Sequence, residues 1–244
     1  MIELDAVRKV YPGGSVALHD VSLTIPDGTT LALLGPSGCG KTTLLKLINR
    51  LLEPTGGTVR IDGQDSATLD PIALRRRIGY VVQEAGLFPH LTAAANAEVV
   101  PHLLGWPAPR RRERVRELFA LLGLELALAD RYPAQLSGGQ RQRVGLARAL
   151  AVDPGILLMD EPFGALDPLI RARLQDEFRD LQSRLAKTVV LVTHDVDEAF
   201  RLADAVAVVD AGHLVQLGTP DEIRRAPASP IVAAFVARRA AAPA

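Results

Sequence analysis

One stretch limits the folds open to this chain: Gly35-Pro36-Ser37-Gly38-Cys39-Gly40-Lys41-Thr42-Thr43, which fits G-x-x-x-x-G-K-[ST]. The apolar run before it, Thr30-Leu31-Ala32-Leu33-Leu34, reads as a buried strand, and Thr43 to Ile48 reads as the start of a helix. Strand, glycine loop and helix are the setting in which such a loop holds phosphate. Glycine tolerates positive φ, so the loop turns tightly and its N–H groups converge on phosphate oxygens, joined by the free N–H groups of the helix start. Lys41 offers a mobile positive charge to the outer phosphates, and the Thr42 hydroxyl suits Mg²⁺.

The rest of the chain must build a sheet around that loop. Its 244 residues suffice for one sizeable α/β domain or two small ones, and 48% apolar with 23% charged residues is globular usage. Lys plus Arg and Asp plus Glu balance at 28 each, which gives no electrostatic case for a nucleic-acid partner. Cys39 is the single cysteine, so no intrachain disulfide forms, as suits a reducing compartment. No apolar run reaches the length of a membrane span, and the first residues lack the basic-then-apolar pattern of a signal peptide. A cytoplasmic protein is expected.

Alternation from Val16 to Ile25 predicts short, partly antiparallel strands before the loop. The helix after the loop is predicted to run over 43–52 and to stop at Glu53-Pro54-Thr55-Gly56-Gly57. Strands are predicted at Thr58 to Asp62 and Gly79 to Val82, with a short basic helix from Leu74 to Ile78 between them. From Phe88 to Val152 helical spacing takes over, with Val115, Leu118, Phe119 and Leu122 on one face, which reads as a helical insertion. The sheet resumes with Ile156 to Met159, Val189 to Val192 and Ala205 to Val209. Between the first two, a helix is predicted with Ile170, Leu174, Phe178, Leu181 and Leu185 on one face. Residues from Ala237 are expected to fray.

Asp160-Glu161 closes an apolar strand, and ligands gather at the carboxyl ends of strands in open parallel sheets. Asp160 is then placed to help hold Mg²⁺, and Glu161 to polarise a water for attack on a γ-phosphate; solvated acids at a strand end are the plainer alternative. His194 ends another strand, where an imidazole can hydrogen-bond the same phosphate or simply cap a helix. Gln83 also ends a strand and can touch metal or water. Tyr11, beside Pro12-Gly13-Gly14, can cover a flat base or sit half-buried in a strand. Leu136-Ser137-Gly138-Gly139-Gln140 is a second glycine pair opening a helix, hence a second anion site. One γ-phosphate does not need two such sites from one chain, so the second is read as serving a partner's nucleotide, with ATP the glue of a dimer.

These motifs together resemble the nucleotide-binding subunit of an ATP-binding cassette transporter, over residues 1 to about 225. Leu136 to Gln140 matches the family signature, and Gly35 to Thr42 and Ile156 to Asp160 match its phosphate and metal motifs. The resemblance implies an α/β P-loop ATPase core (about 1–87 and 153–225) with an antiparallel β subdomain and an inserted helical subdomain (about 88–152), within one ATPase domain over 1–236. It implies that Tyr11 stacks on adenine, that Gln83 senses the γ-phosphate and the membrane partner, and that Glu161 is the catalytic base. It further implies that His194 steadies the γ-phosphate and that Gly164-Ala165-Leu166-Asp167 lies at a dimer interface. The ligands implied are ATP and Mg²⁺, with Thr42, Gln83 and Asp160 toward the metal. The partners implied are a second copy of the chain or a related ATPase subunit, an integral permease at whose cytoplasmic face the chain sits, and an extracytoplasmic solute-binding protein.

Within the family, Leu47-Ile48-Asn49-Arg50-Leu51, Ile78 to Gln83 with Gly86 to His90, and Phe163 to Pro168 with Leu174 to Phe178 resemble the branch importing glycine betaine, choline and related osmoprotectants. Amino-acid, nitrate and sulfonate import subunits share pieces of this pattern and stay open as alternatives, as does a cassette ATPase outside transport. Ala93-Ala94-Ala95-Asn96-Ala97 replaces more usual acidic and branched residues after the Gln83 loop. The sequence closes at Ala244 without the paired regulatory domains some family members carry, so ionic-strength sensing through such an extension is not expected.

Overall fold

The computed structural model describes residues 1–164 and 166–240. In chain order its strands are β1 (Ile2–Val10), β2 (Val16–Ile25), β3 (Thr30–Leu34), β4 (Gly56–Ile61), β5 (Gln64–Asp65), β6 (Ile78–Val81), β7 (Ile156–Asp160), β8 (Thr188–Thr193), β9 (Ala205–Asp210) and β10 (His213–Gly218). The helices are α1 (Lys41–Ile48), α2 (Pro71–Arg77), α3 (Ala93–Ala97), α4 (Val99–Leu103), α5 (Ala108–Leu121), α6 (Gly138–Leu150), α7 (Pro168–Leu185), α8 (Val196–Leu202), α9 (Pro220–Arg225) and α10 (Pro230–Ala240). Contacts divide the chain into two compact units, Met1–Arg75 with the described part of Ala186–Ala244, and Arg76–Leu185.

In the first unit an antiparallel sheet runs β2-β1-β4-β5, with Ile2 opposite both Ile25 and Ile61. The alternation read from Val16 onward is its pleat: Leu18, Val21, Leu23 and Ile25 are buried. A second group of strands follows the order β10-β9-β3-β8. Here β3 lies parallel to both β8 and β9, while β10 folds back antiparallel on β9. Every residue of β3 is buried, as its unbroken apolar run demands. Ala32, Leu34, Val206 and Val208 share one core with Val196 and Ala199 of α8, Ile223 of α9 and Val232 of α10.

The second unit holds β6 and β7 as a parallel pair, Ile78 opposite Ile156 and Val81 opposite Met159. The helical stretch 88–152 lies wholly inside it. Val115, Leu118, Phe119 and Leu122 are buried as their spacing requires.

Local departures from the sequence reading have local causes. The first helix starts at Lys41 and ends at Ile48, short of residue 52. Asn49 Oδ1 accepts from the Leu51 N–H and Arg50 turns to φ +54°, which breaks the helical path. α2 starts at Pro71, earlier than Leu74, because Asp70 Oδ1 caps the Ala73 N–H and proline suits the first helical position. Ile78 leaves that helix for β6. On α7, Leu174, Phe178 and Leu181 are buried but Ile170 remains 43% exposed. Ile170 lies over Gly139, where no side chain rises to cover it. Residues 237–240 continue α10; residues 241–244 lie outside the described ones. Among the described residues no helix is long and apolar enough to cross a membrane.

Candidate nucleotide site

The register of β3 and β8 fixes the phosphate loop. Leu34 pairs with Thr193, so Gly35 and His194 leave neighbouring parallel strands at the same level. Gly35, Pro36, Ser37 and His194 line one cavity of about 370 Å³, closed on the apolar side by Ile231, Ala234 and Phe235 of α10. Asp195 accepts from the Asp197 and Glu198 N–H groups, starting α8 directly after His194.

Gly40 hands the loop to α1 at φ +108°, and a Cβ there would stand 2.6 Å from the Ala17 carbonyl oxygen of β2. Glycine is therefore required on both conformational and steric grounds. Lys41 is 5% exposed and its Nζ donates to the carbonyls of Gly35 (2.7 Å) and Pro36 (2.8 Å). The Gly212 N–H, in the β9–β10 turn, donates to the Cys39 carbonyl at 3.0 Å and braces the loop from below. Thr42 and Thr43 lie in the first turn of α1, and Thr43 Oγ1 sits 3.1 Å from the Tyr11 hydroxyl. Tyr11 carries Lys9 Nζ over its ring at 5.7 Å from the centroid.

Cys39 is buried, and burial pushes its thiol above the ordinary range although Lys41 Nζ stands 3.7 Å from Sγ and opposes the shift. The thiolate is the reactive form, so alkylation at neutral pH is expected to be slow and to quicken as pH rises. Bound ATP is expected to slow it further by covering the loop. Labelling rates followed by mass spectrometry check this, and equal rates with and without ATP would defeat the protection.

In the second unit Asp160 ends β7 with 7% exposure. Tyr80 of β6 pairs with Leu158, which makes Asp160 its diagonal neighbour on the same face. The Tyr80 hydroxyl bonds the Asp160 carboxylate, and burial first, then the Asp160 charge and that bond, push the phenol up to about 12. It stays neutral and can donate across the ordinary pH range. Tyr80 was not singled out from the sequence as a site residue; the signal was an aromatic hydroxyl one residue before the end of a strand whose partner ends in an acid. Glu161 follows with φ +45°, a left-handed conformation disfavoured for a residue with a side chain, and its carbonyl accepts from the Gly164 N–H at 3.2 Å. Gln83 is exposed and opens a 3₁₀ turn over Gln83–Gly86.

Ser137 caps α6: its Oγ accepts from the Gln140 N–H at 3.2 Å, and its own N–H donates to Gln140 Oε1 at 2.8 Å. Gly138 and Gly139 fill the first turn, so the remaining N–H groups of this 13-residue helix start carry no side-chain cover of their own. Of the segment 164–167, Ala165 lies outside the described residues; Asp167 Oδ1 accepts from the Leu169 N–H. The phosphate loop, Tyr11 and His194 thus fall in the first unit, and Gln83, Ser137 to Gln140, Asp160 and Glu161 in the second.

A glycine loop between a buried strand and a helix, with strand-end Asp160-Glu161 and a serine-capped glycine pair, is the equipment of a P-loop ATPase cassette. The ABC transporter sequence profile matches residues 18–164, more than half of the chain, and the chain belongs to that family. It is 53% identical over 238 residues to the glycine betaine/carnitine/choline transport ATP-binding protein OpuCA of Bacillus subtilis (strain 168), covering 98% of this chain and 63% of that protein. It is 50% identical over 238 residues to the glycine betaine uptake system ATP-binding protein YehX of Escherichia coli (strain K12), covering 98% and 77%. The solved ATP-binding cassette MJ0796, a dimer in a post-hydrolysis state bound to ADP and Pi, superimposes with a TM-score of 0.81 at 37% identity, covering 90% of this chain and 99% of that one. The chain spans about three fifths of the length of the first of these relatives. The fold is that of the ABC cassette, a mixed α/β P-loop architecture.

Proposed function

We propose that this chain is the ATP-binding and ATP-hydrolysing subunit of an importer for a quaternary ammonium osmoprotectant such as glycine betaine, choline or carnitine. In this reading residues 1–236 form one ATPase domain that works as a head-to-tail dimer. The chain sits on the cytoplasmic face of the membrane against an integral permease, which takes solute from an extracytoplasmic binding protein. The supporting observation is the strand register that opens the phosphate loop and His194 onto one cavity. The names of relatives at about half identity support the solute class.

On binding, Lys41 exchanges the Gly35 and Pro36 carbonyls for phosphate oxygens, and the loop N–H groups take the rest. Tyr11 stacks on the adenine. Glu161 accepts the proton of the attacking water, and His194 hydrogen-bonds the γ-phosphate. Ser137 and the N–H groups of Gly138 to Gln140 meet the phosphate held by the partner chain. Thr42, Asp160 and Gln83 supply the all-oxygen donor set that Mg²⁺ prefers, and Asp160 is kept oriented by the Tyr80 hydroxyl. Mg²⁺ held there would neutralise charge on the transferring phosphate.

Quaternary ammonium ions have no N–H donor and are held by aromatic faces. The chain is 4% aromatic and Tyr11 is assigned to adenine, so the solute cage belongs to a partner. Calorimetry is expected to show no betaine or choline binding to the isolated chain, while the reconstituted transporter with its binding protein should show solute-stimulated phosphate release. Direct betaine binding to the chain would refute this division. Stimulation by nitrate or an amino acid alone would overturn the solute and leave the ATPase standing.

A further inference from the structure

The segment after Gln83 is held in an unfavourable backbone shape. Ala85 has φ +62° and Gly86 φ +48°, two consecutive left-handed residues, and Ala85 is fully buried. Side chains disfavour that region, so something outside the segment must hold it.

The holder is α6. Arg148 Nη1 donates to the Gly86 carbonyl and Nη2 to the Ala85 carbonyl, both at 2.8 Å. A planar guanidinium reaches two consecutive carbonyls with two N–H groups of one rigid fork, a geometry an ammonium group does not reproduce. The same guanidinium lies 5.7 Å from the centroid of the Phe88 ring. One turn earlier on the same face of α6, Gly145 lets the turn approach: a Cβ there would stand 3.1 Å from the Ala85 Cβ and 3.2 Å from its oxygen. The far end of the segment is tied by Asn96, fully buried on α3. Its Oδ1 accepts from the Phe88 N–H at 2.8 Å, and Nδ2 donates to the carbonyls of Phe88, Leu91 and Thr92 at 3.0–3.1 Å. Gln83 stands at the near end of a segment tied at Ala85 and Gly86 by Arg148 and at Phe88, Leu91 and Thr92 by Asn96.

Ser137 caps the other end of α6. Eleven residues of helix, about 16 Å, separate Ser137 from Arg148. We propose that Arg148 is a positioning residue that locks the Gln83 turn to α6, so that displacement of the glycine-rich start of that helix is passed to Gln83. The lock itself is a matter of local geometry; its effect on turnover rests on the ATPase reading above.

Hydrogen exchange and kinetics on the full chain test this. In Arg148→Lys without nucleotide, exchange in a peptide covering 82–92 should quicken about tenfold while 136–142 is unchanged, a readout independent of any ATPase activity. With ATP, the parent should slow exchange in both peptides and Arg148→Lys only in 136–142. ATP affinity should stay within about twofold and kcat fall about tenfold. Adding Ala85→Gly, which relieves the left-handed strain but restores neither guanidinium bond, should leave the kcat loss in place. If Arg148→Lys does not fold, Arg148→Gln carries the same comparison. Unchanged exchange over 82–92, or a kcat that Ala85→Gly restores without the guanidinium bonds, overturns the lock. A parent chain on which ATP alters neither peptide overturns the ATPase reading, and the nucleotide-free comparison still decides the lock.

Discussion

Glu161→Gln is expected to keep ATP binding and to lose turnover by about 100- to 10,000-fold, the usual worth of a positioned general base. The amide matches the carboxylate in shape but cannot accept a proton from the attacking water. The backbone argues that the position is set for the side chain: Glu161 holds φ +45° directly after the buried Asp160, with its carbonyl bonded to the Gly164 N–H. A left-handed residue that is not glycine persists where the surroundings over-determine it. The substitution adds no bulk and leaves that backbone bond in place, so folding should be unaffected. Phosphate release measured beside nucleotide binding separates chemistry from affinity, and near-normal release would remove Glu161 from its role as base.

Lys41→Ala and Ser137→Arg are expected to fail in different ways. Loss of the buried Lys41 ammonium should weaken ATP binding by about 10- to 100-fold, the range for a hydrogen-bonded charge. Ser137→Arg should bind ATP normally and hydrolyse almost none, because in the proposed dimer it places bulk where a partner's phosphate would seat. The lost N-cap should cost about 1 kcal/mol, too little to unfold the unit. A mixture of the two chains can form at most one complete site per dimer, so its phosphate release should rise above either alone and stay below that of the unmodified chain. Normal hydrolysis by Ser137→Arg alone would rule out sites shared between chains.

The parts legible in the sequence were those written in contiguous residues. The run Thr30 to Leu34, the glycine loop and Lys41 specify strand, turn and helix within fourteen residues, and β7 announces its own end with Asp160-Glu161. The bond between Tyr80 and Asp160 was not legible, because it depends on the register of two strands nearly eighty residues apart. The lock by Arg148 and Asn96 was hidden for the same reason: an arginine late in a helix reads as a solvated face until the carbonyls it meets are known. The last helices carry little periodicity of their own. α8 begins because Asp195 caps it, and α10 is fixed by Val232 in a core shared with β3 and β9. Ile170 fits the apolar stripe of α7 by spacing, yet the glycine beneath it leaves it half in water.

In the proposed dimer, ATP is held between the phosphate loop of one chain and the Ser137 segment of another. Sedimentation velocity of Glu161→Gln tests it most directly, since ATP bound there is not consumed. The expected result is a monomer without nucleotide, a dimer with ATP, and a return to monomer when Ser137→Arg is added. An ATP-loaded Glu161→Gln chain that stays monomeric, or a dimer indifferent to Ser137→Arg, would contradict it.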